Sequence, residues 1–169
     1  MMIHIMGEHG SKLTSVQPGD VQPNAVDLRL GKVFRILPNV CTLSETQKGH
    51  RGSVELQPDD QGFWHLEPGT YEVVMENIIE VGEGEAGWVI TRSTLNRNGV
   101  FITSGLYDSM YHGTMAGAMH VTTGPFRVKR GTRVGQFLLF KAEMLHAYNG
   151  SYGFDAAGKP KPEEEKYHV

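Results

Sequence analysis

A run of residues near the middle of the chain has the composition of a phosphate-binding site. Residues 91–99 read Thr-Arg-Ser-Thr-Leu-Asn-Arg-Asn-Gly, which predicts a strand that gives way to a short helical turn at Ser93. Backbone N–H groups at the start of such a turn, the Ser93 hydroxyl and the guanidinium groups of Arg92 and Arg97 are all donors to phosphate oxygens. The alternative for Arg97 is an ordinary surface arginine.

Two further segments contribute polar side chains to predicted strands. Alternation along residues 21–31 places Asp27 and Arg29 on one face of a strand. The two side chains either form a same-face ion pair of little energetic value, or Asp27 orients Arg92. Gln136 is the polar member of an otherwise apolar strand, so it is either a satisfied core group or a ligand contact.

Residues 105–113 hold a carboxylate and an aromatic side chain in a tight hairpin between two predicted strands. The two residues are Asp108 and Tyr111. Taken alone, Asp108 is better explained as a turn residue that caps backbone N–H groups, and Tyr111 can be a core residue. The segment points to a site only in combination with the other three.

These segments lie in a chain whose frequent glycine and proline residues predict an all-β fold. The sequence contains 21 Gly and 8 Pro, and β-branched and aromatic residues fill the short runs between them. One short helix is expected at Ser93–Asn98, capped by Ser93. Residues 45–61 are polar and turn-rich, which predicts an exposed excursion. The predicted strands, which suit a distorted β-sandwich or barrel, are Ala25–Leu30, Val33–Leu37, Gly69–Met75, Ile78–Val81, Trp88–Thr91, Val100–Thr103, Gly113–Val121, Phe126–Val128 and Arg133–Phe140.

Length and charge restrict the class of protein. At 169 residues the chain has the length of one domain. Its net charge of −3 supplies no basic field for a duplex nucleic acid, and no apolar run approaches the ~20 residues that cross a bilayer. The single cysteine, Cys41, excludes an intramolecular disulfide and a cysteine-based zinc cluster. The first residues lack the pattern of a secretory signal, so the expected compartment is the cytoplasm.

Residues 82–87 match the dinucleotide-binding pattern G-x-G-x-x-G by letter. A strand follows them where that pattern requires a helix, and their two glutamates would repel a pyrophosphate. The segment is therefore interpreted as a β-turn between strands.

Taken in order, the four segments resemble the trimeric dUTPase and dCTP deaminase superfamily, over about residues 21–158. The run Val-Gln-Pro-Asn-Ala-Val-Asp-Leu-Arg-Leu-Gly from residue 21 is most similar to the deaminase branch, and so is Pro-Gly-Thr-Tyr-Glu-Val-Val-Met-Glu-Asn from residue 68. The run Arg-Ser-Thr-Leu from residue 92 resembles an element of both branches. The run Asp-Ser-Met-Tyr-His-Gly from residue 108 resembles the D-S-D-Y-x-G motif of dUTPases more than the D-P-G-F-x-G motif of deaminases.

The resemblance implies a fold, an assembly and a set of roles. The fold is that of dUTPases, assembled as a homotrimer with sites between subunits. Residues 1–148 would form the β domain, and the tail 149–169, too rich in Gly, Pro and charge to form core, would be flexible and close over the active site. The substrate would be a deoxynucleoside triphosphate that carries Mg²⁺, with no metal held directly by the protein. The implied catalytic residues are Asp108, Arg92 and Ser93, and the implied substrate-binding residues are Asp27, Arg97, Tyr111, Gln136, Tyr152 and Phe154.

One position separates the two branches. Deaminases carry a water-activating glutamate ten residues after the aspartate matched by Asp108, and that position here is Ala118. Attack on C4 of cytosine needs such a base, whereas phosphoryl hydrolysis needs a carboxylate for water, a bound Mg²⁺ and donors for the phosphates. The leading hypothesis is hydrolysis of a pyrimidine deoxynucleoside triphosphate, foremost dUTP, to the monophosphate and pyrophosphate, with Asp108 as the base and Tyr111 against the deoxyribose. The alternatives are a zinc-independent dCTP deaminase and a noncatalytic nucleotide-binding homologue.

Overall fold

The computed structural model describes residues 1–167, which form an antiparallel all-β fold with one short helix. The predicted fold class is therefore confirmed, although the strands of these residues do not close into a barrel. Helix α1 is Ser93–Asn96, and a 3₁₀ turn spans Glu165–Tyr167. In chain order the strands are β1 Met2–Ile3, β2 Lys12–Leu13, β3 Val26–Ile36, β4 Thr42–Leu43, β5 Lys48–Gly49, β6 Ser53–Leu56, β7 Phe63–Leu66, β8 Gly69–Glu80, β9 Glu85–Thr91, β10 Val100–Thr103, β11 His112–Val121, β12 Phe126–Lys129 and β13 Arg133–Lys141.

Strand β3 ties two layers of sheet together. Its first half pairs with β13, and its second half pairs with β8 and β6. The register between β3 and β8 shifts between Leu30 and Lys32, where the strand passes from one layer to the other. Gly31 lies at this shift, and a Cβ there would lie only 3.2 Å from backbone atoms of Val74 and Glu76. One layer therefore holds β1, β13, β9 and the start of β3, and the other holds β10, β11, β8, β2, β6 and the end of β3.

The core lies between these layers. Leu28 and Phe137 come from the first layer and Ile79 from the second, and all three side chains are fully buried. Burial of each such side chain contributes about 1.5–3 kcal/mol to the free energy of unfolding. The small β7 and β12 sheet adds Trp64, whose Nε1 donates to the carbonyl of Leu56 at 2.7 Å.

Two strands are longer than the sequence predicts. The predicted strands Ala25–Leu30 and Val33–Leu37 are joined in β3, and the predicted strands Gly69–Met75 and Ile78–Val81 are joined in β8. The polar residue within β8 is tolerated because Asn77 is fully buried with its amide satisfied, donating to the carbonyl of Thr14 at 2.9 Å and accepting from the N–H of Arg29 at 3.2 Å. Strand β7 was not predicted, and part of the predicted excursion over residues 45–61 joins the sheet as β6.

Helix α1 is shorter than predicted and begins differently. It ends at Asn96, two residues before the predicted Asn98, and Arg92 occupies its N-cap position without a side-chain hydrogen bond to the helix. Ser93 is the first helical residue with an exposed side chain, so the prediction that Ser93 caps the helix is wrong. No helix within residues 1–167 has the length and apolarity needed to cross a membrane.

The C-terminal segment, residues 149–167, packs against the sheet. Glu164 is 1% exposed and its carboxylate accepts hydrogen bonds from the backbone N–H and the hydroxyl of Thr114, at 2.8 and 2.5 Å. Tyr167 packs edge to face on Phe34, with ring centroids 6.2 Å apart. The expectation that this segment is too polar to contribute to the core is therefore wrong. Its flexibility stays a prediction, and the last two residues of the chain lie outside the described part.

Glu85, the first residue of β9, fastens the N-terminal residues to the sheet. It is 1% exposed, and its carboxylate accepts hydrogen bonds from the N–H and hydroxyl of Ser11 at 2.9 and 2.5 Å and from Lys141 Nζ at 2.7 Å. Burial by itself would raise the pKa of this carboxyl group, but the hydrogen bonds from Lys141 and Ser11 outweigh burial and lower the pKa from 4.5 to about 2. The turn expected at residues 82–87 is thus held by a buried carboxylate that pairs with the half-exposed Lys141.

The low pKa of Glu85 predicts a loss of stability in acid. A carboxyl group whose pKa is lowered on folding stabilises the fold fully above its unfolded value, near 4.5, and loses that contribution as the pH falls towards about 2. We expect Glu85→Gln to be less stable than the wild type at pH 7 by at most about 3 kcal/mol. Chemical unfolding of both proteins between pH 7 and pH 2 should show this difference shrinking below pH 4.5. A difference independent of pH would contradict the assignment.

Candidate active site

Two arginines and a glutamine surround one buried aspartate near the start of β3. Asp27 is 0% exposed, and its Oδ2 lies 3.2 Å from Arg92 Nε and 3.4 Å from Arg133 Nη1. Gln136 Nε2 donates to Asp27 Oδ1 at 3.0 Å. We call these four residues the cationic cluster, because two guanidinium groups share a single carboxylate.

The register of the sheet explains how the cationic cluster forms. Gln136 lies directly opposite Asp27 across β13 and β3, and opposite Ile90 across β13 and β9. Directly opposed side chains share one face of a sheet, with Cβ atoms about 5 Å apart. Arg92 follows the last residue of β9, and Arg133 is the first residue of β13. The ends of two neighbouring strands therefore bring both guanidinium groups to the Asp27 carboxylate.

Arg29 does not pair with Asp27, so the predicted same-face ion pair is wrong. The loop before β3 folds back, and the N–H of Asp27 donates to the carbonyl of Asp20 at 2.8 Å. This fold places the fully buried Asp20 beside Arg29, whose Nε and Nη2 donate to the two carboxylate oxygens at 3.0 and 2.6 Å. The bidentate geometry with Asp20 is stronger than a single contact across the strand face. Asp27 instead lies 3.2 Å from Arg92 Nε, which is the pair named in the second of the two predicted alternatives.

The cationic cluster presents donors to solvent. The Arg92 side chain is 28% exposed, with Nε beside Asp27 and Nη1 donating to the carbonyl of Arg133, so its Nη2 makes no hydrogen bond within residues 1–167. The Arg133 side chain is 36% exposed. Ser93 and Arg97 are exposed on α1, and neither side chain is hydrogen-bonded in the described chain. This edge can therefore donate to several phosphate oxygens, while Asp27 positions the donors.

The hairpin, residues 105–113, connects β10 to β11 and holds its two predicted site residues in different environments. Tyr111 is 7% exposed, and its hydroxyl donates to the carbonyl of Thr114 at 2.7 Å. Burial, followed by the nearby Glu164 carboxylate, raises the pKa of Tyr111, so the hydroxyl stays protonated. Asp108 is exposed, and its side chain makes no hydrogen bond with any of residues 1–167. Its carboxylate is therefore free of competing partners.

A cavity of about 500 Å³ lies between the hairpin, β11 and the C-terminal segment. Tyr111 and Tyr152 both line it, so two predicted substrate-binding residues come together here. Ala118 also lines it, at the position where the deaminase branch carries its glutamate. The volume is in the range of cavities that hold small organic ligands. Phe154 does not line this cavity and packs instead on His112, with ring centroids 4.9 Å apart.

Asp108 lines a second cavity, of about 450 Å³, between the hairpin and residues 142–150. Leu106 and Tyr148 line both cavities and form the wall between them. Asp108 and Tyr111 are three positions apart in the hairpin, yet they face different spaces.

The cationic cluster and Asp108 lie at opposite ends of β9. Ala86, near the start of this strand, lines the Asp108 cavity, and Arg92 follows the end of the strand. At about 3.3 Å per residue these two positions are roughly 20 Å apart. A general base has to reach the reacting water within hydrogen-bond distance. One chain therefore does not bring the predicted base and the predicted phosphate ligands to the same reacting atoms.

Two residues of these sites were not predicted from the sequence. Arg133 had no distinguishing pattern, since an arginine at the start of a strand is common. Glu164 lies 50 residues from Thr114, the residue that donates to it, within a tail whose composition suggests no burial. The aspartate motif did identify the hairpin, and the arginine and serine run did identify the end of β9.

Sequence comparisons give a consistent family. The family model described as dCTP deaminase-like matches residues 3–142. A probable deoxyuridine 5'-triphosphate nucleotidohydrolase of Methanothermobacter thermautotrophicus is 33% identical over 135 residues, 78% of this chain and 87% of that protein. A protein of the same description from Methanopyrus kandleri is 31% identical over 134 residues, 78% of this chain and 86% of that protein.

Solved structures share the fold. The 2'-deoxycytidine 5'-triphosphate deaminase from Agrobacterium tumefaciens has a TM-score of 0.60 at 21% identity, and the match covers 77% of this chain but only 43% of that one. The dUTPase from phage phi11 of S. aureus has a TM-score of 0.52 at 11% identity, with 88% and 99% of the two chains covered. At these identities the likeness is one of fold. The match of the family model over residues 3–142 shows that the chain belongs to the dCTP deaminase-like family.

Proposed function

We propose that this protein hydrolyses dUTP to dUMP and pyrophosphate. The observation that carries the proposal is the contrast between two positions: an exposed, unpartnered carboxylate at Asp108, and an alanine at Ala118. A hydrolase needs the first, and a deaminase of this family pattern needs an acid at the second. The relatives at 33% and 31% identity are described as probable dUTP nucleotidohydrolases, which supports the same reaction.

Each group would have a defined role in that reaction. Arg92, with Ser93, Arg97 and Gln136, would hold the phosphates, and the unpredicted Arg133 would join them. Asp108 would accept a proton from a water molecule while the oxygen of that water attacks the α-phosphorus. The bond between the α-phosphorus and the oxygen that bridges it to the β-phosphorus would break, and pyrophosphate would leave with the electron pair.

Mg²⁺ would enter with the triphosphate. No group of three His, Cys, Asp or Glu side chains among residues 1–167 is arranged to hold a metal ion, and the Asp27 carboxylate is occupied by its cationic partners. The phosphate oxygens would therefore be the main ligands of the ion, which neutralises charge that develops on them. The residues of the chain fit that arrangement, since their guanidinium groups bind the same phosphates without competing for the metal.

A second copy of the chain would complete the site. Within one chain the cationic cluster and Asp108 are roughly 20 Å apart along β9. They would come together where the hairpin of one subunit lies against the cationic cluster of the next. Large apolar side chains are exposed near both regions, with Trp88 50%, Leu106 56% and Met110 52% exposed. These exposures support association of copies with shared sites, and the resemblance to the trimeric superfamily implies three copies. Light scattering across micromolar concentrations should give the trimer mass, and a monomer at all of them would contradict it.

The nucleoside would occupy the cavity of about 500 Å³, and its phosphates would extend past Leu106 and Tyr148 towards the cavity that Asp108 lines. Tyr111 would pack against the deoxyribose and leave no room for a 2′-hydroxyl, with Tyr152 on the opposite side. The C-terminal segment lines the same cavity through Glu164 and Tyr167. We propose that this segment opens to admit the nucleotide and closes over it.

The hydrolysis is tested by pyrophosphate release in the presence of Mg²⁺. We expect release from dUTP, and release from UTP lower by at least about tenfold, because a clash with the Tyr111 platform disfavours the ribonucleotide. Chelation by EDTA should abolish release while leaving the midpoint of thermal unfolding unchanged, since no group of three His, Cys, Asp or Glu side chains among residues 1–167 is arranged to hold a metal ion. Binding of dUTP without any pyrophosphate would favour a noncatalytic nucleotide-binding protein instead.

dCTP deamination is the second candidate, because the family model is described as dCTP deaminase-like and the run from residue 21 resembles that branch. We expect Ala118→Glu to remain an inefficient deaminase. The new carboxylate would need a position accurate to about half an ångström relative to cytosine. It would also need neighbouring side chains that set its protonation state. Ala118 is half-buried where it lines the cavity, and this partial burial would instead raise the pKa of the new carboxyl group.

Ammonia and pyrophosphate released by this variant can be measured separately. Ammonia from dCTP at a rate comparable with its hydrolysis of dUTP would overturn the prediction and would indicate an intact deaminase pocket. Ala118→Gln is the matched control, because it adds similar volume without an acid.

A further inference from the structure

The position of Asp108 depends on the backbone of its hairpin. Its side chain makes no hydrogen bond within residues 1–167, so no neighbouring group orients the carboxylate directly. A general base has to stay within hydrogen-bond reach of its water to be effective. Whatever holds the hairpin backbone therefore sets the orientation of Asp108.

The hairpin backbone is held by the segment 81–87. Tyr107 exchanges two hydrogen bonds with Gly87, its N–H donating at 2.8 Å and its carbonyl accepting at 2.9 Å. On the other side of Asp108, the N–H of Met110 donates to the carbonyl of Val81 at 3.1 Å. Asp108 therefore lies between two backbone attachments to the same segment.

Ser109 adds a side-chain attachment next to Asp108. It is 7% exposed, and its hydroxyl donates to the backbone carbonyl of Glu85 at 2.5 Å. The following residue, Met110, has a φ of 68°, a left-handed conformation that side chains disfavour. Such a conformation persists only where the surroundings enforce it. The Ser109 hydroxyl is one of the contacts that enforce it.

Glu85 is itself fixed from the other side. Its carboxylate is held by Lys141 Nζ at 2.7 Å and by Ser11 at 2.9 and 2.5 Å, and Ser11 Oγ also accepts from the N–H of Gly82 at 2.9 Å. These contacts fix the backbone carbonyl to which Ser109 donates. A continuous set of hydrogen bonds thus runs from the N-terminal residues through Glu85 to the hairpin.

We propose that Glu85 and Ser109 are positioning residues for Asp108. Neither side chain contacts the exposed Asp108 carboxylate, and their effect passes through the backbone of the hairpin. The inference rests on the proposed hydrolysis, because it assigns a reactive orientation to Asp108. Displacement of a reacting group by about 1 Å lowers a rate by up to roughly 100-fold.

Ser109→Ala tests this proposal through a split between kcat and KM. We expect kcat for pyrophosphate release from dUTP to fall roughly 10- to 100-fold, with KM within about threefold, because the hydroxyl does not touch the nucleotide. Glu85→Gln, which keeps the side-chain volume, should change kcat in the same direction. Ser44→Ala is the control: it removes a serine hydroxyl from the exposed loop between β4 and β5 and should match the wild type.

Amide hydrogen exchange supplies a readout that does not depend on turnover. The N–H groups of Tyr107 and Met110 should exchange at least about tenfold faster in Ser109→Ala, while that of Leu28 in the core stays unchanged. Wild-type kcat in Ser109→Ala, or unchanged exchange in the hairpin, would overturn the proposal. A wild-type protein that releases no pyrophosphate would overturn the hydrolysis instead, and the exchange rates would still decide whether Glu85 and Ser109 hold the hairpin.

Discussion

Replacement of Asp108 by asparagine is expected to lower pyrophosphate release from dUTP by roughly 10²- to 10⁴-fold, the range that a general base contributes. Nucleotide affinity should stay within about tenfold, because the carboxylate acts on water and contributes little to binding in the ground state. Asparagine keeps the size of the side chain and its ability to cap a turn. Turnover and dUTP binding are measured on the same preparation, so that a loss of rate is not confused with a loss of binding.

Asp60→Asn is the matched control for this change. Asp60 is also exposed, and the substitution removes one negative charge from a loop before β7. It should leave pyrophosphate release unchanged. Turnover at the wild-type rate in Asp108→Asn would reduce Asp108 to a turn residue and remove the base from the proposed mechanism.

Among the proposed substitutions, Arg92→Ala should have the second-largest effect. It should weaken binding of the triphosphate. A charge-assisted hydrogen bond contributes about 1.5–3 kcal/mol, so loss of the Arg92 guanidinium should weaken dUTP binding roughly 10- to 100-fold. The fully buried Asp27 would also lose the nearer of its two cationic partners and keep only Arg133 and Gln136. Because Arg92 is partly exposed, we expect the free energy of unfolding to fall by about 2 kcal/mol, less than for a fully buried pair.

Arg29→Ala separates the two consequences. Arg29 is the bidentate partner of the buried Asp20, so its loss should destabilise the fold by about 2–3 kcal/mol. It lies outside the cationic cluster, and dUTP binding measured by calorimetry should stay within about threefold of the wild type. Equal losses of affinity in Arg29→Ala and Arg92→Ala would show that Arg92 acts through stability alone.

Local patterns were sufficient to select Arg92, Asp108 and Gln136 as candidate site residues, because each belongs to a short run whose residue types suggest its chemistry. Arg133 could not be assigned in the same way. Its contact with Asp27 depends on how β13 is registered against β3, and that register shifts between Arg133 and Gly135. Irregular pairing of this kind follows from the packing of both layers, which periodicity in one strand does not reveal.

The same reasoning applies to Glu85 and Glu164. Both stand in polar, turn-rich sequence, where an acidic residue is normally exposed. Their burial depends on donors distant in sequence, Lys141 at a separation of 56 residues and Thr114 at a separation of 50. A carboxylate is buried where such donors surround it, and their arrangement follows from the tertiary fold. The fold class could be predicted from the sequence, whereas the burial of these two carboxylates could not.

Simultaneous measurement of pyrophosphate and ammonia from an equal mixture of dUTP and dCTP, with Mg²⁺ and the wild-type protein, tests the central claim most directly. The exposed carboxylate at Asp108 and the alanine at Ala118 predict one equivalent of pyrophosphate for each dUTP consumed, with no ammonia. Ammonia released in proportion to dCTP loss would contradict the proposed function, because the chain would then deaminate cytosine without an acid at Ala118.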